Sequence, residues 1–308
     1  MKRIIIDCDP GLDDAVALLA AFQARSLDVL AITTVAGNVP AGLTAYNARV
    51  IRDIAGVGPE TPVCPGAPQP IFRDAVTAEE FHGSTGLGNL PLPSPKVSLS
   101  RAHSVNMITR LCRGARSAPL TLVITGPMTN VALALTMTPN IRDGIEEIVL
   151  MGGGDGEGGN ITPFAEFNIF ADPHAAAIVF GSGLPIRCLS LDVTHTIRTS
   201  PERIADVRGI GSAIASHAAD FLQASCELEF SAVGDRDAPL HDPSTILALT
   251  HPEIFSGRRA SVEVVTTPGD QFGRTIPSFQ DDGNVLWYEQ ADSDAAFAAL
   301  CAQLRGEA

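Results

Sequence analysis

Four carboxylates fall within eight consecutive positions near the N-terminus: Asp7, Asp9, Asp13 and Asp14, in the stretch DCDPGLDDA at 7–15. Three isoleucines precede them and AVALLAAF follows. Charges packed this closely repel one another. The first turn of a helix favours negative charge by about 0.3–1 kcal/mol, which accounts for two of the four and not for all. A bound cation removes the remaining repulsion, and donors that are all oxygen suit a hard ion such as Ca²⁺ or Mg²⁺. The spacing is not that of an EF-hand, because the twelfth position counted from Asp7 is Leu18 rather than Glu.

Three other stretches carry residue types fit for chemistry. MGGGDGEGGN (151–160) leads into PFAEFNIFADPHAA (163–176). If FAEFN (164–168) is extended, Glu166 and Asn168 face the same side. With Asn160 they offer one carboxylate acceptor and two amides that both donate and accept, a set suited to the vicinal hydroxyls of a sugar. LHDPST (240–245) puts His241, a side chain suited to proton transfer near neutrality, beside Asp242, which can complete a metal shell; Pro243 is expected to open a helix. FHGSTGLGN (81–89), with His82, reads as a lid or as a solvated glycine-rich turn. A strand ending in D-x-D also resembles the haloacid-dehalogenase phosphatases. Those continue with small hydroxyl residues, whereas Pro10-Gly11-Leu12-Asp13-Asp14 follows here, with no evident clamp of basic residues for a phosphate.

These motifs need a frame that brings them together. Residues 3–6 read as a buried strand and 13–24 as a helix with apolar residues at helical spacing. Residues 28–35 (DVLAITTV) and 41–55 repeat that pair. TLVIT (121–125), IEEIVLM (145–151) and PIRCLSL (185–191) give further strands, with helices at 129–137 and 172–180 between them. Such alternation predicts an α/β fold with a mainly parallel, helix-covered sheet. Residues 57–100, rich in Gly and Pro, predict a long loop over one end of it. Ligands of such sheets bind outside the carboxyl ends of the strands. Five turns follow predicted strands, namely DCDPGLDD, AGN (36–38), TGPMTN (125–130), MGGG (151–154) and LDVTH (191–195), and all five are expected on one rim.

The 308 residues include 21 Lys and Arg against 35 Asp and Glu, a formal charge of −14 that excludes a phosphate-backbone partner and suits a small neutral or cationic substrate or a divalent ion. Six scattered cysteines without a C-x-x-C pair predict reduced thiols and a cytoplasmic protein. No apolar run approaches the roughly 20 residues of a membrane span.

In this order and spacing, DCDPGLDDA, AITTVAGN, HGSTGLG, TGPMTN, VLMGGG, AEFNIFADPHAA and LHDPST closely resemble the inosine-uridine-preferring nucleoside hydrolases, over essentially the whole chain. The resemblance implies one α/β domain over 1–308 with a Rossmann-like, mostly parallel core, assembled as a homodimer or homotetramer. It implies a Ca²⁺ ion deep in the pocket and hydrolysis of a ribonucleoside to ribose and free base. Position by position, it implies that Asp9, Asp14, Asp242 and the Thr125 carbonyl hold Ca²⁺, with Asp9 also the general base for the metal-bound water. Asp13, Asn38, Asn160, Glu166 and Asn168 are implied as ribose contacts, with Met151 against the sugar and His241 assisting departure of the base. Asp7 is expected behind the ligands, fixing them by hydrogen bonds. Glu166 would stabilise oxocarbenium character on the ribose.

Two features depart from the family's pattern. Some purine-accepting relatives carry tyrosines in the helix before HDP, whereas residues 223–240 hold Phe230 and no Tyr, with Glu227, Glu229 and Asp237 adding charge. Purine-specific relatives stack the base between tryptophans, and the single Trp287 here is expected to pack in the core or on the surface. Both absences imply a pyrimidine-preferring or nonspecific hydrolase. The alternative on the same fold is a nucleoside- or ribose-binding protein without turnover.

Overall fold

Ile4, Ile5 and Ile6 are all buried, which requires cover on both faces of the strand that holds them, β1 (Lys2–Cys8). The computed structural model, which describes residues 1–307, supplies that cover with helices on either side of one nine-stranded sheet. The other strands are β2 (Leu27–Thr34), β3 (Val63–Cys64), β4 (Leu120–Ile124), β5 (Ile145–Met151), β6 (Ile186–Leu189), β7 (Phe255–Val264), β8 (Thr275–Phe279) and β9 (Val285–Ala291). Their order is β3-β2-β1-β4-β5-β6-β9-β7-β8. The pairs from β3 through β9 are parallel, and only β7 runs against its neighbours. The chain leaves β1 toward β2 on one side and later resumes at β4 on the other, so a crevice opens at the carboxyl ends of β1 and β4.

The predicted elements form within one or two residues of their expected bounds, with two exceptions that matter for the site. β1 runs past residue 6 to take in Asp7 and Cys8, because partners on both sides satisfy its backbone: Asp7 is registered on Thr33 of β2 and Ile124 of β4. FAEFN is not extended. Glu166 is the N-cap of a helix at Phe167–Ala171, and its carboxylate accepts from the backbone N–H of Asn168 and Ile169. Local capping therefore overrides the period-two reading, and Glu166 and Asn168 are brought together by a helix start.

The helix Leu12–Gln23 buries one side against the sheet and another against the long helix Ala213–Val233, while Thr129–Met137 and Pro173–Phe180 cover the opposite face. Each fully buried Leu or Ile side chain in these layers contributes about 1.5–3 kcal/mol. The 57–100 segment is more than a loop. It holds β3, a short helix at Glu79–His82, and Leu87 inserted into the core. All six cysteines are buried and unpaired. Among the described residues no helix is long and apolar enough to cross a membrane.

Candidate active site

The acidic stretch turns out of β1 directly into the crevice. Asp9 Oδ2 accepts from the Asn38 N–H at 2.7 Å, and the Asn38 amide donates to the Asp9 carbonyl and to Asp14 Oδ2, both at 3.2 Å. Asp14 also accepts from the Gly11 N–H at 3.0 Å and from the Thr125 hydroxyl at 2.7 Å. Two glycines make room for this packing. A side chain at Gly37 would collide with Asp9 Oδ2, and one at Gly126 would come within 2.5 Å of Asp9 Oδ1. Carboxylate oxygens of Asp13, Asp14 and Asp242 lie within 4.8 Å of one another, a trio drawn from opposite ends of the chain. Asp9 stands beside this trio rather than in it.

The donors fit a hard cation. Asp9 Oδ1 is fully buried and has no hydrogen-bond partner among the described residues, an arrangement that costs about 1–3 kcal/mol unless something positive meets it. Burial, and then repulsion among the aspartates, pushes Asp9 and Asp242 well above the usual carboxylate range and Asp14 up to about 7. A divalent ion reverses that balance by favouring the charged forms. The Thr125 carbonyl, expected as a further ligand, accepts from the Asn168 amide at 2.9 Å and keeps a second lone pair.

The Asp7 carbonyl accepts from the N–H of Thr125, an expected ligand, at 2.9 Å, but the Asp7 side chain departs from expectation. Its Oδ1 accepts from the Thr33 hydroxyl at 2.6 Å and the Asn130 amide at 2.9 Å, and no hydrogen bond links it to Asp9 or Asp14. It ties β1 to β2 and to the helix Thr129–Met137 beneath the site, and burial pushes its carboxyl up to about 7.

Above the aspartates opens a cavity of about 440 Å³, the size of a small-molecule site. All but two of the expected residues line it; the exceptions, Asp9 and Asp14, lie beneath its floor, fully buried. Glu166 faces the cavity while gripping three backbone N–H groups: Gly153 at 3.0 Å, Asn168 at 2.9 Å and Ile169 at 3.1 Å. Burial lifts its carboxyl to about 7 against the pull of those bonds. Asn168 donates to the carbonyls of Thr125 and Met151, which joins β4, β5 and the glycine-rich loop at one point. Asn160, more exposed, accepts from the Phe167 N–H at 2.9 Å.

His82 reaches down from the Glu79–His82 helix, and its Nδ1 accepts from the Leu12 N–H at 3.2 Å. Asn47 anchors the same segment by donating to the carbonyls of Pro10 and Thr85. The glycine-rich turn is thus a roof docked on the acidic stretch.

His241 receives a contact from the Thr194 hydroxyl at 2.8 Å and lies 5.6 Å, ring to ring, from His195. Burial holds its imidazole down to about 3, Asp13 opposing, so it faces the cavity neutral at ordinary pH. A folded pKa below the unfolded 6.5 gives a stabilising contribution that is complete above that value and is lost as pH falls through about 3. The difference in thermal midpoint between wild type and His241→Asn is expected to shrink as pH is lowered across that window, a trend that differential scanning fluorimetry reads directly.

One residue the motif reading left unassigned holds the site in shape. Asp192, in LDVTH, accepts from the N–H groups of Asp155 at 3.0 Å and Glu157 at 2.9 Å, from Ser190 Oγ at 3.1 Å and from the Trp287 indole at 3.3 Å. Trp287 is fully buried behind Gly153, whose φ of +79° only glycine adopts at little cost. Its place directly after a strand was the only signal in the sequence. Asp192→Asn removes one acceptor from a loop that carries Asn160, and KM is expected to rise several-fold more than kcat falls, read from initial rates.

Comparison with known proteins places this geometry. The description "Inosine-uridine preferring nucleoside hydrolase" matches residues 4–299. The chain belongs to this family. A pyrimidine-specific ribonucleoside hydrolase RihA of Photobacterium profundum is 42% identical over 282 residues, covering 89% of this chain and 88% of the relative. An uncharacterized protein of Schizosaccharomyces pombe is 38% identical over 98% of both chains. Among solved structures, the purine-preferring ribonucleoside hydrolase from Gardnerella vaginalis superposes with a TM-score of 0.91 at 28% identity, covering 99% of each chain. As a nucleoside hydrolase, the protein is a nucleoside N-ribohydrolase with a small-molecule nucleoside substrate; the family suggests a metal-dependent enzyme, and the acidic centre is an aspartate-rich cluster that could hold a metal ion.

Proposed function

We propose that this nucleoside hydrolase is Ca²⁺-dependent, prefers pyrimidine ribonucleosides, and cleaves their N-glycosidic bond through an oxocarbenium-like transition state. The convergence of Asp13, Asp14 and Asp242, with buried Asp9 beside them, at a cavity also lined by Asn38, Glu166 and Asn168 carries the reading. Asp9, Asp14, Asp242 and the Thr125 carbonyl would hold Ca²⁺, which would supply a hard centre for the vicinal hydroxyls and for water. Asp9 is the group placed to take a proton from the attacking water, its Oδ2 kept in place by the Asn38 N–H. Asp13, Asn38 and Asn168 fix the ribose, with Asn160 closing over it and Met151 against its ring. Glu166 sits where positive charge develops as the base leaves, and stabilises it. Neutral His241 offers the departing base a hydrogen bond through its ring nitrogen, while His82 and its segment exclude water from above.

The base preference draws on two observations: the absence of Tyr from 223–240, and higher identity to the pyrimidine-specific relative than to the purine-preferring one. The same reading takes all of 1–308 as one catalytic domain, working in the cytoplasm as a homodimer or homotetramer in nucleoside salvage; light scattering tests the assembly. A panel of uridine, cytidine, inosine, adenosine and guanosine, followed by reducing-sugar release, tests the substrate. Cytidine and uridine are expected to lead the purines in kcat/KM. A purine nucleoside turned over tenfold faster than either would overturn the preference.

A further inference from the structure

The cavity wall also carries charge that the reaction does not use. Ser225, Glu229 and Val233 lie four apart on the helix Ala213–Val233 and all line the cavity, so one helix face looks into it. Arg198 and Asp235 line the same cavity. Arg198 is held firmly: it bridges to Pro239, and Thr199 and Leu240 exchange flanking backbone bonds with Ala238 and Ile197 at 2.8 Å each. That paired segment runs straight into His241, so the wall is registered on the residue beside the leaving group. The Arg198 guanidinium donates to Asp235, which occupies much of its charge. Glu229 has no such partner. Among the described residues its half-buried carboxylate makes no hydrogen bond or ion pair.

We infer that Glu229 reads the exocyclic amino group of the base, so that cytidine is preferred over uridine. The inference rests on the pyrimidine nucleoside hydrolase reading above. An ionised carboxylate can only accept hydrogen bonds. Cytosine presents an N4 amino group with two N–H donors, and a Glu carboxylate accepting from it is a known pairing. Uracil carries a carbonyl at that place, so two acceptors would face each other in a partly desolvated wall. Its single N3–H lies between two carbonyls, where a carboxylate meets repulsion on both sides. A site with a committed acceptor discriminates strongly against an analogue that lacks the matching donor. Burial pushes the Glu229 carboxyl upward, with Arg198 opposing, as suits a group that has lost water and awaits a partner.

Competition assays with equal cytidine and uridine in one tube test this, with free bases separated chromatographically. Wild type is expected to favour cytidine by about tenfold in kcat/KM. Glu229→Gln, whose amide both donates and accepts, is expected to bring the ratio close to one, chiefly through loss on cytidine. Glu229→Ala checks that the ratio follows the carboxylate and not bulk. A wild type that favours uridine, or a ratio unmoved by Glu229→Gln, overturns the inference and leaves the hydrolase reading intact. A wild type that cleaves inosine and neither pyrimidine nucleoside overturns both.

Discussion

Asp9→Asn is expected to lower turnover of uridine or cytidine by about a thousandfold, within the usual range for loss of a general base. The substitution is isosteric. The side-chain oxygen that receives the Asn38 N–H can be kept, while the charge and the basicity go. Burial and repulsion from Asp14 already hold the Asp9 carboxyl well above its ordinary range, so neutralising it relieves strain in the metal-free protein. Loss of activity should therefore come with a thermal midpoint, measured in chelator, that is no lower than that of wild type. Wild-type turnover in a folded Asp9→Asn protein would remove this residue from the chemistry.

Glu166→Gln is the second large effect, an expected fall in kcat of about 10²–10³. Both Glu166 oxygens receive backbone N–H groups, Oε1 from Asn168 and Oε2 from Gly153 and Ile169. Whichever oxygen becomes the amide nitrogen, a donor then faces a donor. The cap of the Phe167–Ala171 helix weakens and the glycine-rich loop loses its anchor, at a stability cost of about 1–3 kcal/mol. The negative charge that meets the oxocarbenium ribose is lost as well. Glu166→Asp, which keeps the charge on a shorter reach, should recover part of kcat in the same assay. Equal kcat for wild type and Glu166→Gln would assign Glu166 to structure alone.

The frame and the acidic centre were legible because their signals are local. Three isoleucines followed by D-x-D mark the end of a strand buried on both faces, and Asp13 with Asp14 mark the helix that follows. Asp242 could be linked to them only through the resemblance, since register and topology, not spacing, bring it 228 positions back to Asp14. FAEFN misled because alternation describes side-chain direction in a strand, while the decisive interaction is a carboxylate folding onto N–H groups two and three residues ahead. The Asp7 side chain departs for a related reason: it belongs to a cluster of four carboxylates in sequence, yet β-pairing turns it toward Thr33 and Asn130, and only its backbone carbonyl meets a ligand residue, Thr125. Asp192 acts on residues 35 and 37 positions away, through backbone donors that no sequence pattern records. The Gly37 and Gly126 contacts with Asp9 are invisible for the same reason, being set by how closely three turns pack at one crevice.

The central claim is that the acidic crevice holds Ca²⁺ and that ribose release depends on it. Protein dialysed against a chelator and assayed for reducing sugar from cytidine and uridine tests both parts at once, with calcium added back in steps and bound metal counted by emission spectroscopy. Activity is expected to vanish in chelator and to return in proportion to one equivalent of bound calcium in wild type, and the metal is expected not to be retained by Asp242→Ala. Undiminished ribose release from protein shown to be metal-free would contradict the account.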